Sequence, residues 1–111
     1  MAETTATSEE TTEIRRLASD SKMVRTIKAV EFDLMGYGLT KSDICEEIVA
    51  WIDAGERVKA TTLHTFPGML GQRAFELKPR INDRLFYIKL TFQKSQDTDQ
   101  LLLILSSHPN H

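Results

Sequence analysis

A lysine, a tyrosine and a histidine on separate β-rich stretches are the side chains with which this chain could act on a phosphodiester. Tyr87 alternates with apolar residues, Lys59 lies in an earlier β-rich run, and His108 follows the last apolar run. Cleavage of RNA requires a base for the ribose 2′-hydroxyl, an acid for the leaving 5′-oxygen and cations for the charge that develops on phosphorus. Lysine, tyrosine and histidine can divide that work without a metal, so the residue types permit the reaction but do not establish it.

The stretch LFYIKLTFQ, from Leu85 to Gln93, predicts a β-strand with one buried face, because apolar and polar residues alternate along it. One side holds Phe86, Ile88, Leu90 and Phe92, and the other holds Leu85, Tyr87, Lys89, Thr91 and Gln93. The second set is either an ordinary solvated sheet surface or a surface that binds a ligand. His108 likewise is either an acid–base group or a surface histidine at a frayed strand end.

The charge distribution adds a reason to consider a phosphate ligand. The net charge is −2, but the chain from 57 to 94 carries only two acidic residues, Glu76 and Asp83, against the eight basic residues Arg57, Lys59, Arg73, Lys78, Arg80, Arg84, Lys89 and Lys94. A locally positive surface of this kind attracts phosphates, although a normal mixed surface is an equal alternative. The expected RNA-binding residues are Arg73, Lys78, Arg80 and Lys89.

The length and composition of the chain limit the class of protein to which it can belong. We expect residues 1–9, which are rich in Thr, Ser and Glu, to be a disordered acidic tail, and residues 10–111 to form a single domain. The single cysteine, Cys45, rules out an internal disulfide, fits the cytoplasm, and falls in a helical core stripe. No apolar run is long enough for a membrane span, the N-terminus lacks a signal-peptide pattern, and the histidines are not spaced as a metal site.

Helical periodicity comes before strand periodicity. TKSDICEEIVAWIDAG predicts a helix with a capping box at Thr40 and Asp43, and MVRTIKAVEFDLMGYG predicts one capped by Thr26 with Met35 on the core side. Four strands follow, of which LLLILSS is apolar on both faces and is expected to be central. The sequence therefore predicts an α+β fold, with N-terminal helices packed on one face of a mostly antiparallel sheet of about four strands.

From about Ile14 to His108 the chain resembles the MqsR family of type II toxins, which are mRNA endoribonucleases with a RelE-like fold. The resemblance runs through VRT at Val24–Thr26, then DICEEIVAWI, VKATT, KPRI, YIKLTF and LLLILSS, in the same order and spacing. YIKLTF is the most specific of these segments.

The resemblance implies site residues. The family's active-site lysine falls on Lys59 and its tyrosine on Tyr87, and Gln72 is the nearest match to its glutamine, after a loop that is longer in this chain. The family's C-terminal lysine falls at or near His108. This departure leaves a titratable cation in place but puts the family's mechanism, rate and pH dependence in question for this chain.

The implied function is that of a toxin in a type II toxin–antitoxin system, a metal-independent endoribonuclease that cleaves single-stranded mRNA in the cytoplasm without a cofactor. Its partners would be mRNA and a cognate antitoxin protein. In this interpretation Lys59 and Arg80 bind phosphate, and Tyr87 and His108 transfer protons. The alternatives are a non-catalytic RelE-like module that binds RNA or protein, which the missing lysine and the acidic total charge favour, and an interaction protein that does not contact RNA.

Overall fold

Three helices lie in the N-terminal half of the chain in the computed structural model, which describes residues 5–64, 66, 68–94 and 100–109. They are α1 (Ser8–Ala18), α2 (Lys28–Gly36) and α3 (Lys41–Asp53), with a 3-10 turn at Ser21–Met23. The predicted capping box of α3 is confirmed, because Thr40 Oγ1 accepts from the Asp43 amide and Asp43 accepts from the Thr40 amide. No helix in the described part of the chain is long and apolar enough to cross a membrane.

A mixed, mostly antiparallel sheet follows, so the α+β class is confirmed. Its strands are β1 (Val24–Thr26), β2 (Lys59–Thr62), β3 (Arg73–Leu77), β4 (Arg80–Ile81), β5 (Arg84–Lys94) and β6 (Gln100–Pro109). The order is β1-β6-β5-β3-β2, with β4 paired to the start of β5, and among these described strands only the β1–β6 pair is parallel. β6 lies inside the sheet, as its apolar faces predicted. The described ranges form six strands rather than about four, because β1 and β4 are too short to show a period in the sequence.

One side of the sheet, which we call the helix face, carries the main core. The row Ala60, Phe75, Leu90 and Ile104 crosses β2, β3, β5 and β6 on this side. The buried residues of all three helices belong to the same apolar cluster: Ile14, Leu17, Ala18, Val30, Leu34, Ile44, Cys45 and Ile48. Cys45 is therefore a buried core residue, as predicted, and burial raises the pKa of its thiol to about 11.

The start of α2 differs from the prediction. Thr26 belongs to β1 and pairs with Ile104, and Ile27 is the residue that precedes the helix, without a side-chain cap. The core side of the helix is formed by Val30 and Leu34, one turn apart, whereas Met35 is 75 % exposed because the next residue along a helix points about 100° away from Leu34. Pairing of β1 with a strand some eighty residues later overrides the local helix-start signal of Thr26.

The N-terminal segment is part of the fold from Thr5 onward, which corrects the expected disordered tail over residues 1–9. Thr5 forms a β-bridge with Lys59, and the Ala6 amide donates to Val58 O at 2.9 Å. Thr7 then caps α1. The composition suggested disorder because the segment lacks large apolar side chains. Backbone pairing and the helix cap, and not apolar burial, hold residues 5–9 in place. Residues 1–4 lie outside the described residues.

Replacing Thr7 with alanine is expected to lower the free energy of unfolding by about 1 kcal/mol, the usual cost of losing a helix cap. Thr7 Oγ1 accepts from the Glu10 amide at 3.0 Å, and Glu10 Oε1 accepts from the Thr7 amide at 2.9 Å. Urea unfolding followed by circular dichroism measures the change. Thr12→Ala, at an exposed position within α1, is the matched control, and equal stability of the two variants would contradict the cap.

The other side of the sheet, which we call the open face, is divided in two. In one half, Leu63, Ala74, Leu103 and Leu105 form a second small apolar cluster with Phe66 and Met69. Thr91, which the sequence placed on an accessible face, is 0 % exposed here, because it lies in the row with Ala74 and Leu103. The accessible half lies toward Lys89 and Tyr87, which are both partly exposed.

Candidate functional site

A row of polar residues crosses the accessible half of the open face. The strand register aligns Lys59 on β2, Glu76 on β3, Lys89 on β5 and Ser106 on β6. Side chains at directly paired positions in a sheet lie about 5 Å apart at Cβ. The row therefore gathers two lysines and a carboxylate on one side, although Lys59 and Lys89 are thirty residues apart in sequence.

Glu76 connects Lys59 to Tyr87. The Tyr87 hydroxyl donates to Glu76 Oε2 at 2.7 Å, and Lys59 Nζ lies 3.9 Å from Glu76 Oε1. The Glu76 side chain is 14 % exposed, whereas that of Lys59 is 54 % exposed. We call these three residues the Lys59–Glu76–Tyr87 cluster. The structure thus brings together the two residues that the resemblance implied, and it does so through a third residue.

His108 joins this cluster through β6. It pairs directly with Tyr87, and their ring centroids are 5.6 Å apart. His108 Nδ1 lies 3.0 Å from Pro109 O. A carbonyl oxygen only accepts, so this contact assigns the proton of the neutral ring to Nδ1 and leaves Nε2 for a ligand.

The phenol of Tyr87 is a hydrogen-bond donor in this site. Burial raises the pKa of Tyr87 well above its ordinary value, and the hydrogen bond to Glu76 and its negative charge raise that pKa further. A phenol with such a pKa remains protonated at neutral pH, so it can donate a hydrogen bond but does not accept a proton from a substrate hydroxyl.

Gln72 does not lie with the cluster. Its Nε2 donates to Thr91 Oγ1 at 2.8 Å and also to Phe92 O, and the Thr91 hydroxyl donates to Arg73 O at 2.7 Å. Thr91 is four residues from Tyr87 along β5, about 13 Å at the usual rise. Gln72 fastens the segment before β3 to β5 beside the second apolar cluster, and the structure therefore does not group it with the other candidate catalytic residues.

Arg73 lies on the helix face, which corrects its place among the expected RNA-binding residues. Its Nε and Nη2 donate to the Glu10 carboxylate at 2.7 and 2.8 Å, and its guanidinium carbon is 5.9 Å from the ring centre of Phe75. This guanidinium holds the pKa of Glu10 below its ordinary value. Alternation along β3 puts Arg73 on the same side as Phe75, away from Tyr87.

The other expected RNA-binding residues lie at or near the open face. Lys89 belongs to the polar row, and Arg80 pairs with Leu85, which alternates in phase with Tyr87. Arg80 is exposed, and its guanidinium donates to Asp83 O at 3.4 Å across the β4–β5 turn. Lys78 is exposed just before that hairpin. These cations make the surface near the Lys59–Glu76–Tyr87 cluster positively charged.

Glu76 is the site residue that sequence reasoning missed. The alternation of β3 already separated Glu76 from Phe75, but nothing local showed which strand would lie beside it. Only the registers of β2 with β3 and of β3 with β5 bring its carboxylate to Lys59 and Tyr87. The scarcity of acidic residues between 57 and 94 was the one signal that could have singled it out.

Within the described ranges, no three His, Cys, Asp or Glu side chains are close enough together to hold a metal ion. No protein-family model matches this chain, and comparisons with curated proteins and with solved structures found no match either. The chemistry of the Lys59–Glu76–Tyr87 cluster and His108 is thus the basis on which a function can be argued.

Proposed function

We propose that this chain is an endoribonuclease that cleaves single-stranded mRNA without a metal, and that it acts as the toxin of a type II toxin–antitoxin pair with a RelE-like fold. The observation that carries the proposal is the grouping of Lys59, Glu76 and Tyr87 on an accessible sheet face, with His108 beside Tyr87. The resemblance to the MqsR family supports the same function, and it adds an antitoxin partner and a cytoplasmic location to the proposal.

The residues at the site have chemically distinct tasks in this proposal. The Lys59 ammonium neutralises charge on the phosphate as the pentavalent transition state forms, and the exposed Arg80 binds a neighbouring phosphate. Tyr87 donates a hydrogen bond, and His108 presents Nε2 for proton transfer. RNA is favoured over DNA because the ribose 2′-hydroxyl is itself the nucleophile.

A second candidate function is an RNA- or protein-binding module that does not cut. The observation that favours it is the position of Glu76, whose carboxylate lies between Lys59 and Tyr87 where a phosphate would otherwise bind. A negative charge there weakens phosphate binding. The negative net charge of the chain points the same way.

Incubating the purified protein with a labelled single-stranded RNA and with the same sequence as DNA, in buffer with EDTA, tests the proposal. We expect cleavage of the RNA alone, with product ends that carry a 2′,3′-cyclic phosphate and a 5′-hydroxyl. A parallel preparation of a Lys59→Ala variant measures contaminating ribonuclease. Intact RNA with salt-dependent binding would establish the binding module instead, because phosphate contacts release counterions. Intact RNA without binding would exclude both cleavage and RNA binding, and would leave only the protein-binding form of the second function.

A further inference from the structure

We infer that Glu76 is the general base of this site, the group that removes the proton from the ribose 2′-hydroxyl, and that His108 is the acid opposite it. This assignment rests on the proposed ribonuclease function and names the two proton-transfer groups within it. It also gives a role to the Glu76 carboxylate, whose negative charge would otherwise weaken phosphate binding.

The position of the Glu76 carboxylate fits a base. Its Oε2 accepts from the Tyr87 hydroxyl at 2.7 Å, which fixes the carboxylate, while Oε1 stands 3.9 Å from Lys59 Nζ, beyond a direct hydrogen bond. One oxygen is thus anchored and the other has capacity to accept a further proton. The side chain lies on the open face, and 14 % of its surface is exposed.

The other groups around Glu76 are unsuited to the role of base. Lys59 faces it from β2, Tyr87 and Lys89 face it from β5, and His108 stands beyond Tyr87 on β6. A lysine ammonium offers three donors and no acceptor, so it does not take a proton from a hydroxyl. Tyr87 stays protonated because of its raised pKa. That leaves the carboxylate and the imidazole, and a base and an acid are both required.

The position of His108 is suited to the general acid. Its ring stands on the far side of Tyr87 from Glu76, because β5 separates β6 from β3. With Nδ1 turned to Pro109 O, the imidazolium presents its Nε2 proton to a ligand. A substrate phosphate that lies over Tyr87 would then have the carboxylate on one side and the imidazolium on the other, as in-line displacement requires.

The step balances in atoms and charge. The Glu76 carboxylate takes the 2′-hydroxyl proton as O2′ forms a bond to phosphorus, and the bond from phosphorus to O5′ breaks. O5′ receives the Nε2 proton of the His108 imidazolium. The products are a 2′,3′-cyclic phosphate and a 5′-hydroxyl end, and water returns the two side chains to their starting protonation states. The ammonium of Lys59 neutralises the added negative charge on phosphorus.

The test uses two RNA oligonucleotides that differ in the leaving atom at one linkage, with either oxygen or sulfur at the 5′-bridging position. A thiolate leaves without protonation, so loss of the acid matters only for the oxygen substrate. Glu76→Gln is expected to slow cleavage of both substrates by about 10²–10⁴-fold, and His108→Ala is expected to slow only the oxygen substrate by such a factor. Glu9→Gln, at an exposed position of α1, is the matched control and should cleave like the parent.

Two further readouts separate a base from a residue that merely supports the site. Glu76→Asp, which keeps a carboxylate, should recover part of the rate that Glu76→Gln loses. Ultraviolet titration should show that Glu76→Gln lowers the pKa of Tyr87, because the carboxylate raises it; this measures the contact without any activity. A Tyr37→Phe background leaves Tyr87 as the only tyrosine.

The outcomes are distinct. A parent protein that cleaves neither oligonucleotide overturns the proposed function and this assignment together. A parent that cleaves while Glu76→Gln keeps its rate on both substrates overturns only the role of Glu76. If His108→Ala is equally slow on both substrates, His108 is not the acid, and the pair is overturned as stated.

Discussion

Replacing Lys59 with alanine is expected to slow RNA cleavage by about 10²–10³-fold, the cost of removing one charge-stabilising group from an active site of this type. The Lys59 ammonium lies 3.9 Å from the Glu76 carboxylate and is more than half exposed. Because the Lys59 end of this pair is solvated and the two atoms are beyond hydrogen-bond distance, the pair should contribute only about 0–1 kcal/mol to stability, so the loss should be kinetic and the fold should persist. Single-turnover rates, with melting curves on the same samples, separate the two effects.

Two matched variants make the Lys59 experiment specific. Lys59→Arg keeps the charge and should retain much of the rate, whereas Lys22→Ala removes an exposed lysine from the 3-10 turn and should have no effect. If the parent cleaves and Lys59→Ala cleaves at the same rate, the active site lies elsewhere on the molecule.

Replacing Phe75 with alanine is expected to lower the free energy of unfolding by about 3–5 kcal/mol. Phe75 is 0 % exposed, occupies the middle of the row from Ala60 to Ile104, and meets the ring of Phe92 edge-on at 5.4 Å. Removal of the ring leaves a cavity between the helices and the sheet that the strands on either side cannot close. This loss is a large share of the roughly 5–15 kcal/mol that stabilises a domain.

Phe32→Ala is the matched control for the core experiment. Phe32 is 72 % exposed on α2, and its truncation should change stability by no more than about 0.5 kcal/mol. Guanidinium unfolding at 25 °C measures both variants. Similar losses of unfolding free energy for the two phenylalanines would show that the helix face is not the main core. The packing that is taken to hold strand β3, and with it Glu76, in place would then be wrong.

Local periodicity predicted the parts of this fold that depend on neighbours in sequence. The capping box at Thr40 and Asp43 and the burial of Cys45 follow from residues within one helix, and both are confirmed. The interior position of β6 followed from its apolar composition on both faces. Strand β1 was missed because its three residues gain their conformation from Leu102, Leu103 and Ile104, a pairing that no local pattern reveals.

The site was less predictable than the strands that carry it. Alternation put Tyr87 and Lys89 on one side of β5, but their neighbours across the sheet depend on register, so the carboxylate of Glu76 was not anticipated. Gln72 was chosen as the nearest match to the family's glutamine, and Arg73 because it lies in a stretch rich in basic residues. Arg73 lies on the helix face bound to Glu10, and Gln72 holds Thr91, because each position was decided by tertiary contacts.

The register shift in β6 determines how the site tolerates insertions and deletions. Lys89 pairs with Ser106 while Leu90 pairs with Ile104, so Leu105 is an extra residue on one strand. Under strict alternation Ser107 would share the side of Tyr87, and His108 would point into the core. A deletion of any one of Leu105, Ser106 and Ser107 can remove the bulge and preserve the pairing of His108 with Tyr87, whereas a deletion of two of them turns the imidazole away. The side of the sheet on which His108 lies therefore depends on the number of residues between Ile104 and His108 as much as on their identity.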